Sequence, residues 1–146
     1  MTAATVSPGT TFPTVTLSTG VSGNLVIQAL QDITINNAND VYSWTQLNSS
    51  SKLQVATTST NSVSSNMVVE NATFFGSNIA GSTPAEIGIF GLSKQKTLCS
   101  FTITNVGNKT LSGQAYVTGL APKVSADQPV WVTPVTLTVT GDFTVA

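Results

Sequence analysis

LSGQAYVTGLAPKVSADQPVWVTPVTLTVTGDFTV, residues 111–145, decides the fold class. Near its end Val135, Thr136, Leu137, Thr138, Val139 and Thr140 alternate apolar and hydroxyl side chains without a break, up to Gly141. A period of two belongs to a β-strand whose two faces meet different environments. The stretch therefore predicts strand, loop, strand: residues 110–120, a loop over 121–129, and a last strand region over 130–145. Interruptions are expected at Pro134 and Gly141, with Pro134 at an edge or a bulge because it has no N–H to give a ladder.

Upstream segments carry the same signal. Residues 24–30 (NLVIQAL) read as a compact strand, and Asn36 to Asp40 (NNAND) as a turn, since Asn and Asp tolerate unusual backbone angles. Over residues 41–47, Tyr42, Trp44 and Gln46 fall on one face and Val41, Ser43, Thr45 and Leu47 on the other. A turn follows at residues 48–51, and Leu53 and Val55 then share a face, which predicts a hairpin. Residues 58–66 (TSTNSVSSN) hold too little apolar matter for a core and read as a loop or a surface-facing strand end. Residues 67–75 read as a strand leaving at Gly76. Residues 97–104 read as one that sets Cys99, Phe101 and Ile103 on a single face.

One helix is signalled, at residues 82–92. Thr83 is suited to cap it, Pro84 to its first position, and Glu86 completes a capping box three residues after the cap. Ile87, Phe90 and Gly91 are the expected apolar face, and two glycines limit the helix to two or three turns. The fold class is thus mainly β: an antiparallel β-sandwich or partly closed barrel with one short flanking α-helix. Residues 1–23, rich in Thr, Ser, Gly and Pro, read as an extended N-terminal arm. Residues 24–146 read as a single domain.

Composition excludes several kinds of chemistry. Charged residues are 8% of the chain, against a usual share of about 25%. There are 24 threonines, six acids, five lysines, no arginine and no histidine. Ser-His-Asp and Cys-His catalysis, histidine metal sites and arginine clamps for phosphate are therefore impossible. The scattered lysines and a net charge of −1 do not make a nucleic-acid groove. Asp32, Asp40, Glu70, Glu86, Asp127 and Asp142 show neither a local pair for glycoside hydrolysis nor a calcium-loop spacing, so no catalytic, cofactor or metal site is expected. Cys99 is alone and reads as a small buried hydrophobe. The N-terminus lacks the pattern of a secretory signal, and no apolar run reaches membrane-helix length, which points to folding in a cytoplasm without a membrane partner.

The order of these parts resembles bacteriophage tail tube proteins. The resemblance is carried by residues 113–141: a strand opened by Gly113, the turn Leu120-x-Pro122-x-Val124-x-x-Asp127, and an alternating strand closed by Gly141. In layout it extends from about residue 25 to 145. It implies a structural virion protein of a phage tail, made in the host cytoplasm. Rings of six such subunits stack into a hollow tube that passes the genome, alongside other tail proteins, and strands of neighbours join edge to edge. Thr136, Thr138 and Thr140 are then candidates for a hydroxyl-lined lumen or exposed wall. Thr14 and Leu17 in the arm, and Asn48, Ser50, Lys52 and Ser62 in the polar loops, are candidates for inter-subunit contacts. Tubes of this family often have an acidic lumen, whereas this chain offers few acids; neutral hydroxyls would equally avoid holding DNA, because phosphate adhesion needs cations. The alternative is an Ig-like or carbohydrate-binding β-sandwich on a virion or cell surface, with Tyr42, Trp44, Tyr116 and Trp131 as a stacking platform.

Overall fold

The computed structural model describes residues 12–20, 23–27, 30–48, 50–78 and 80–146. In chain order its strands are β1 (Val15–Ser18), β2 (Leu25–Ile27), β3 (Leu30–Thr45), β4 (Lys52–Val68), β5 (Cys99–Val106), β6 (Lys109–Leu120), β7 (Lys123–Ser125) and β8 (Gln128–Val145). One helical turn, Asn71–Phe75, and one helix, α1 (Pro84–Gln95), lie between β4 and β5. All pairings are antiparallel, in a single sheet of order β2-β1-β5-β6-β8-β4-β3 with β7 added on β8. The sheet curls into a half-barrel.

Alternation sets which side is the core. Leu17, Phe101, Ile103, Ala115, Val117, Val135, Leu137, Val63 and Met67 are buried on the concave side, where Ile87, Ile89 and Leu92 of α1 cover them. Burying a side chain of this size contributes roughly 1.5–3 kcal/mol, so the dozen or more buried here are the main stabilising term. Phe143 packs edge-on against Phe101 with ring centroids 6.1 Å apart.

Several expectations are corrected. Asn36 to Asp40 is not a turn but the middle of the 16-residue β3, because each residue from Asn36 to Asn39 has a cross-strand partner in β4. Residues 58–66 lie inside β4, and Asn61, Val63 and Ser65 are buried; β8 on one side and β3 on the other bury what composition alone would leave exposed. Residues 71–75 form a helical turn rather than a strand. The loop expected at 121–129 holds β7. Β8 runs through Pro134 without a break, since Pro134 falls where the neighbour on one side changes from β6 to β7. Helix α1 is interrupted at Gly88 (φ 64°, ψ −174°), which shifts its phase: Ile89 and Leu92 go inside and Phe90 stays outside. Finally, β1 comes from the segment read as an arm and sits between β2 and β5. Residues 1–11, 21 and 22 of that arm lie outside the described residues.

Candidate assembly surface

The convex side of the sheet is a field of hydroxyl and amide groups. Across neighbouring strands Ser18 meets Ser100, Thr16 meets Thr102, Ser100 meets Gln114, Tyr116 meets Thr138, and Thr138 meets Ser62. The hydroxyls bond to each other laterally: Thr14 Oγ1 lies 2.5 Å from Thr104 Oγ1, and Thr118 Oγ1 lies 2.8 Å from Thr138 Oγ1. Thr138 and Thr140 are exposed and Thr136 is half-buried on this side. At its β3 margin Asp32 accepts bonds from the Asn66 backbone (3.1 Å) and side-chain amide (2.9 Å). Lys96 borders the field at the end of α1, in an open hollow of about 450 Å³ with Ser93, Tyr116 and Thr118.

The second feature is a two-stranded ribbon. The β4–β8 ladder stops at Asn61↔Val139, while β3 and β4 stay paired as far as Thr45↔Lys52. The distal hairpin, residues 40–57, therefore leaves the body as a projecting arm. Asn61 marks the point of departure. It is 2% exposed; its Nδ2 donates to the Gly141 carbonyl at 2.7 Å, and its Oδ1 accepts from Asn37. Gly141 itself has φ +86°, a left-handed value that lets β8 bend away there.

Just beyond that node the pairing slips. Asn39 pairs with Ser59 but Val41 pairs with Ala56, so β4 carries one extra residue. Thr58 Oγ1 donates to Asp40 Oδ2 at 2.7 Å, and Thr57 Oγ1 donates to the Asp40 carbonyl at 3.2 Å, which fixes this bulge. A one-residue bulge transfers every later side chain of its strand to the opposite face. Leu53 and Val55 share the odd numbering of the buried Val63 and Met67, yet they lie on the other side of the ribbon, opposite Trp44 and Tyr42. The Tyr42 and Trp44 rings stack with centroids 5.9 Å apart.

At the other end of β8, residues 121–132 form a smaller hairpin from which Val124, Val130 and Trp131 are exposed. Its convex side holds a cleft of about 400 Å³ lined by Lys123, Val130, Val132 and Pro134. Among the described residues the sheet is also open laterally: β2 and β3 are its two edges.

The residues singled out from sequence are dispersed. Thr14 is exposed beside β5, Ser62 is half-buried on the hydroxyl field, and Asn48, Ser50 and Lys52 are exposed at the arm's tip. Leu17 is corrected: it is fully buried in the core and has no surface to offer a neighbour. Thr83 and Glu86 cap α1, the Glu86 carboxylate accepting bonds from Ser82 N, Thr83 N and Thr83 Oγ1, each at 3.0 Å. Those bonds hold its pKa below the usual 4.5. Burial pushes the Cys99 thiol up to about 11. Among the described residues there is no group of three or more His, Cys, Asp or Glu side chains that could hold a metal ion, and no helix is long and apolar enough to cross a membrane. Asn61 and the bulge at Asp40 escaped the sequence reading; the only trace of the bulge is the run of four threonines and serines, residues 57–60, in an otherwise alternating strand.

A curled antiparallel sheet with one short flanking helix matches the fold of solved tail tubes. The chain superposes on a subunit of the tail of an empty gene transfer agent particle, refined with C6 symmetry, with a TM-score of 0.67 over 90% of this chain and 95% of that one. The fold is that of a tail tube subunit. The SPP1 tail tube protein matches it with a TM-score of 0.65 over 91% of this chain and 75% of the other. A chain of the sheath–tube complex of an extracellular contractile injection system matches with a TM-score of 0.59 over 94% and 89%. Identities are 12%, 10% and 11%, so the tail tube fold is shared without a shared sequence. No protein-family model and no curated protein matches the chain by sequence.

Proposed function

We propose that this chain is a structural tail tube subunit, which assembles into six-membered rings that stack into a hollow tube for genome passage. The observation that carries the reading is the superposition of nearly the whole chain on a subunit of a tail with C6 symmetry. The open edges at β2 and β3 support it, because closing a ring by edge pairing removes edges that otherwise invite uncontrolled association. The work of such a protein is mechanical rather than catalytic. Its partners are copies of itself and other tail proteins, its place is the virion, and it needs no cofactor and no membrane.

The hydroxyl field, including Thr136, Thr138 and Thr140, is our candidate for the lumen or an exposed wall. A surface of this kind lets DNA slide past without the cation contacts that would hold it. Thr14, Asn48, Ser50, Lys52 and Ser62 remain candidates for contacts between subunits. A glycan-binding module is the weaker reading, since Trp131 and the Tyr42–Trp44 pair lie beyond opposite ends of the β4–β8 ladder and form no common platform.

Negative-stain electron microscopy of the concentrated protein, beside light scattering on dilution, tests the reading. Rings or hollow tubes are expected. A monomer at every concentration, with or without a tail initiator complex, would overturn it.

A further inference from the structure

We infer that the hollow beside the end of α1 binds a small phosphate-bearing molecule, with Lys96 as the cation and the Thr118–Thr138 hydroxyl pair among its donors. This site goes beyond the tube reading and does not depend on it.

The sheet itself makes the space. Pairing between β5 and β6 begins at Cys99↔Ala115, yet β6 runs on to Leu120. From Tyr116 onward only β8 lies beside it among the described residues, so the sheet has a notch where β5 has stopped. The last turn of α1 lies next to that notch, because residues 96–98 alone carry the chain from the helix into β5. Ser93 and Lys96 from the helix end, Tyr116 and Thr118 from β6 and Thr138 from β8 line the resulting hollow of about 450 Å³. That volume falls within the range of roughly 300–1,000 Å³ typical of small-ligand sites.

Lys96 supplies the second argument. It follows α1 with φ 55° and ψ 45°, and its N–H donates to the Ser93 carbonyl at 3.3 Å, closing the helix. Glycine or asparagine is usual at this left-handed position, where a longer side chain adds strain. The helix dipole does not account for the lysine, because Lys94 already stands in the last turn. Among the described residues no carboxylate lines the hollow, so the ammonium has hydroxyls and an aromatic ring around it there instead of an ion-pair partner.

The hydroxyls decide which anion fits. Thr118 Oγ1 lies 2.8 Å from Thr138 Oγ1 and 3.4 Å from the Thr136 carbonyl oxygen. When Thr118 donates to Thr138, the Thr138 proton is free for a ligand oxygen. In the alternative, Thr138 donates to Thr118 and Thr118 to the carbonyl. An anion in the hollow selects the first arrangement. Ser93 and Tyr116 add a hydroxyl each, and the ammonium adds three N–H donors. Together these exceed the roughly four acceptor sites of a carboxylate, and they suit the three oxygens and the greater charge of a phosphate monoester. Lysine binds phosphate as a point charge, without the planar match that arginine makes. A single cation gives one phosphate contact, whereas a DNA backbone is held by clustered cations, so the ligand is small and free.

Equilibrium dialysis of the full-length chain against inorganic phosphate tests this, and it reads bound ligand whether or not copies assemble. Ionic strength is held constant with NaCl. The wild type should bind a single phosphate per chain, half-saturated at or below about 1 mM. Lys96→Gln should weaken binding at least about tenfold through loss of a charge-assisted contact, whereas Lys94→Gln should leave it unchanged. Lys96→Gly separates recognition from capping: glycine suits the left-handed position, so the melting temperature holds or rises while phosphate binding is lost. No binding by the wild type at millimolar phosphate, or equal binding by Lys96→Gln, would overturn the proposal. So would displacement of the bound phosphate by a short DNA duplex at equal phosphate concentration, which would assign the hollow to the nucleic-acid backbone.

Discussion

Gly88 is the residue on which the helical side of the molecule turns. Its φ of 64° is left-handed, and a Cβ there would sit 2.5 Å from the Phe74 carbonyl oxygen and 2.6 Å from Gly76 N. The turn at residues 71–76 thus packs backbone against backbone on α1, held also by the bond from Asn78 N to the Glu86 carbonyl at 2.8 Å. Gly88→Ala adds both an unfavourable backbone conformation and a clash, and should lower stability by roughly 2–4 kcal/mol, read from urea unfolding. Cys99 makes a second prediction. Its thiol is raised by burial from 9.0 to about 11, so the folded state keeps a proton that the unfolded state gives up in that window. Stability therefore falls as the pH rises from about 9 to about 11, by at most ~3 kcal/mol, and is insensitive to this group below pH 9. Urea midpoints taken across that range should decline in the wild type and decline less in Cys99→Ala.

Among the elements, the long β3–β4 ribbon is where a single residue has the widest consequence. Deleting Thr57 removes the extra residue of the bulge and restores plain alternation in β4 beyond Ser59. Leu53 and Val55 then return to the concave side and part from Trp44 and Tyr42. Loss of those cross-strand pairs, worth about 0.2–1 kcal/mol each, leaves the body folded. The expected signs are a near-native melting temperature and a red-shifted Trp44 emission, judged against a Trp131→Phe background so that one indole reports. The same ribbon shows what could and could not be seen in sequence. Tyr42/Trp44 and Leu53/Val55 are legible as two-residue periods, and the cap of α1 is legible because Thr83, Pro84 and Glu86 act on neighbours close along the chain. Asn36 to Asp40 and residues 58–66 are not. Their strand conformation is imposed by β8 and by each other across long sequence separations, and tertiary pairing overrides local turn preference. Asn61 is hidden for the same reason: its bond to Gly141 spans 80 residues.

For the whole molecule the decisive property is how little charge it carries. Eleven charged side chains serve 146 residues, and apart from Lys52 the exposed side chains proposed for assembly carry no charge. Leu111 to Val145 announces such a surface, because alternation with threonine sets one uncharged polar face against one apolar face. The openness of the sheet is not announced, since nothing local distinguishes an edge strand from a paired one. Screening acts on charges, and sulfate acts on the exposure of apolar surface. Raising NaCl from about 50 to about 500 mM should then change the critical concentration for assembly by less than about twofold, whereas ammonium sulfate at about 0.5 M should lower it clearly. Light scattering across both series separates two kinds of interface. A steep rise in critical concentration with NaCl would mean that ion pairs dominate, and the exposed apolar side chains would then be secondary. A flat NaCl series with a sulfate response places the cohesion in the uncharged surfaces, where the bulge in β4 has turned Leu53 and Val55 to the side of Tyr42 and Trp44.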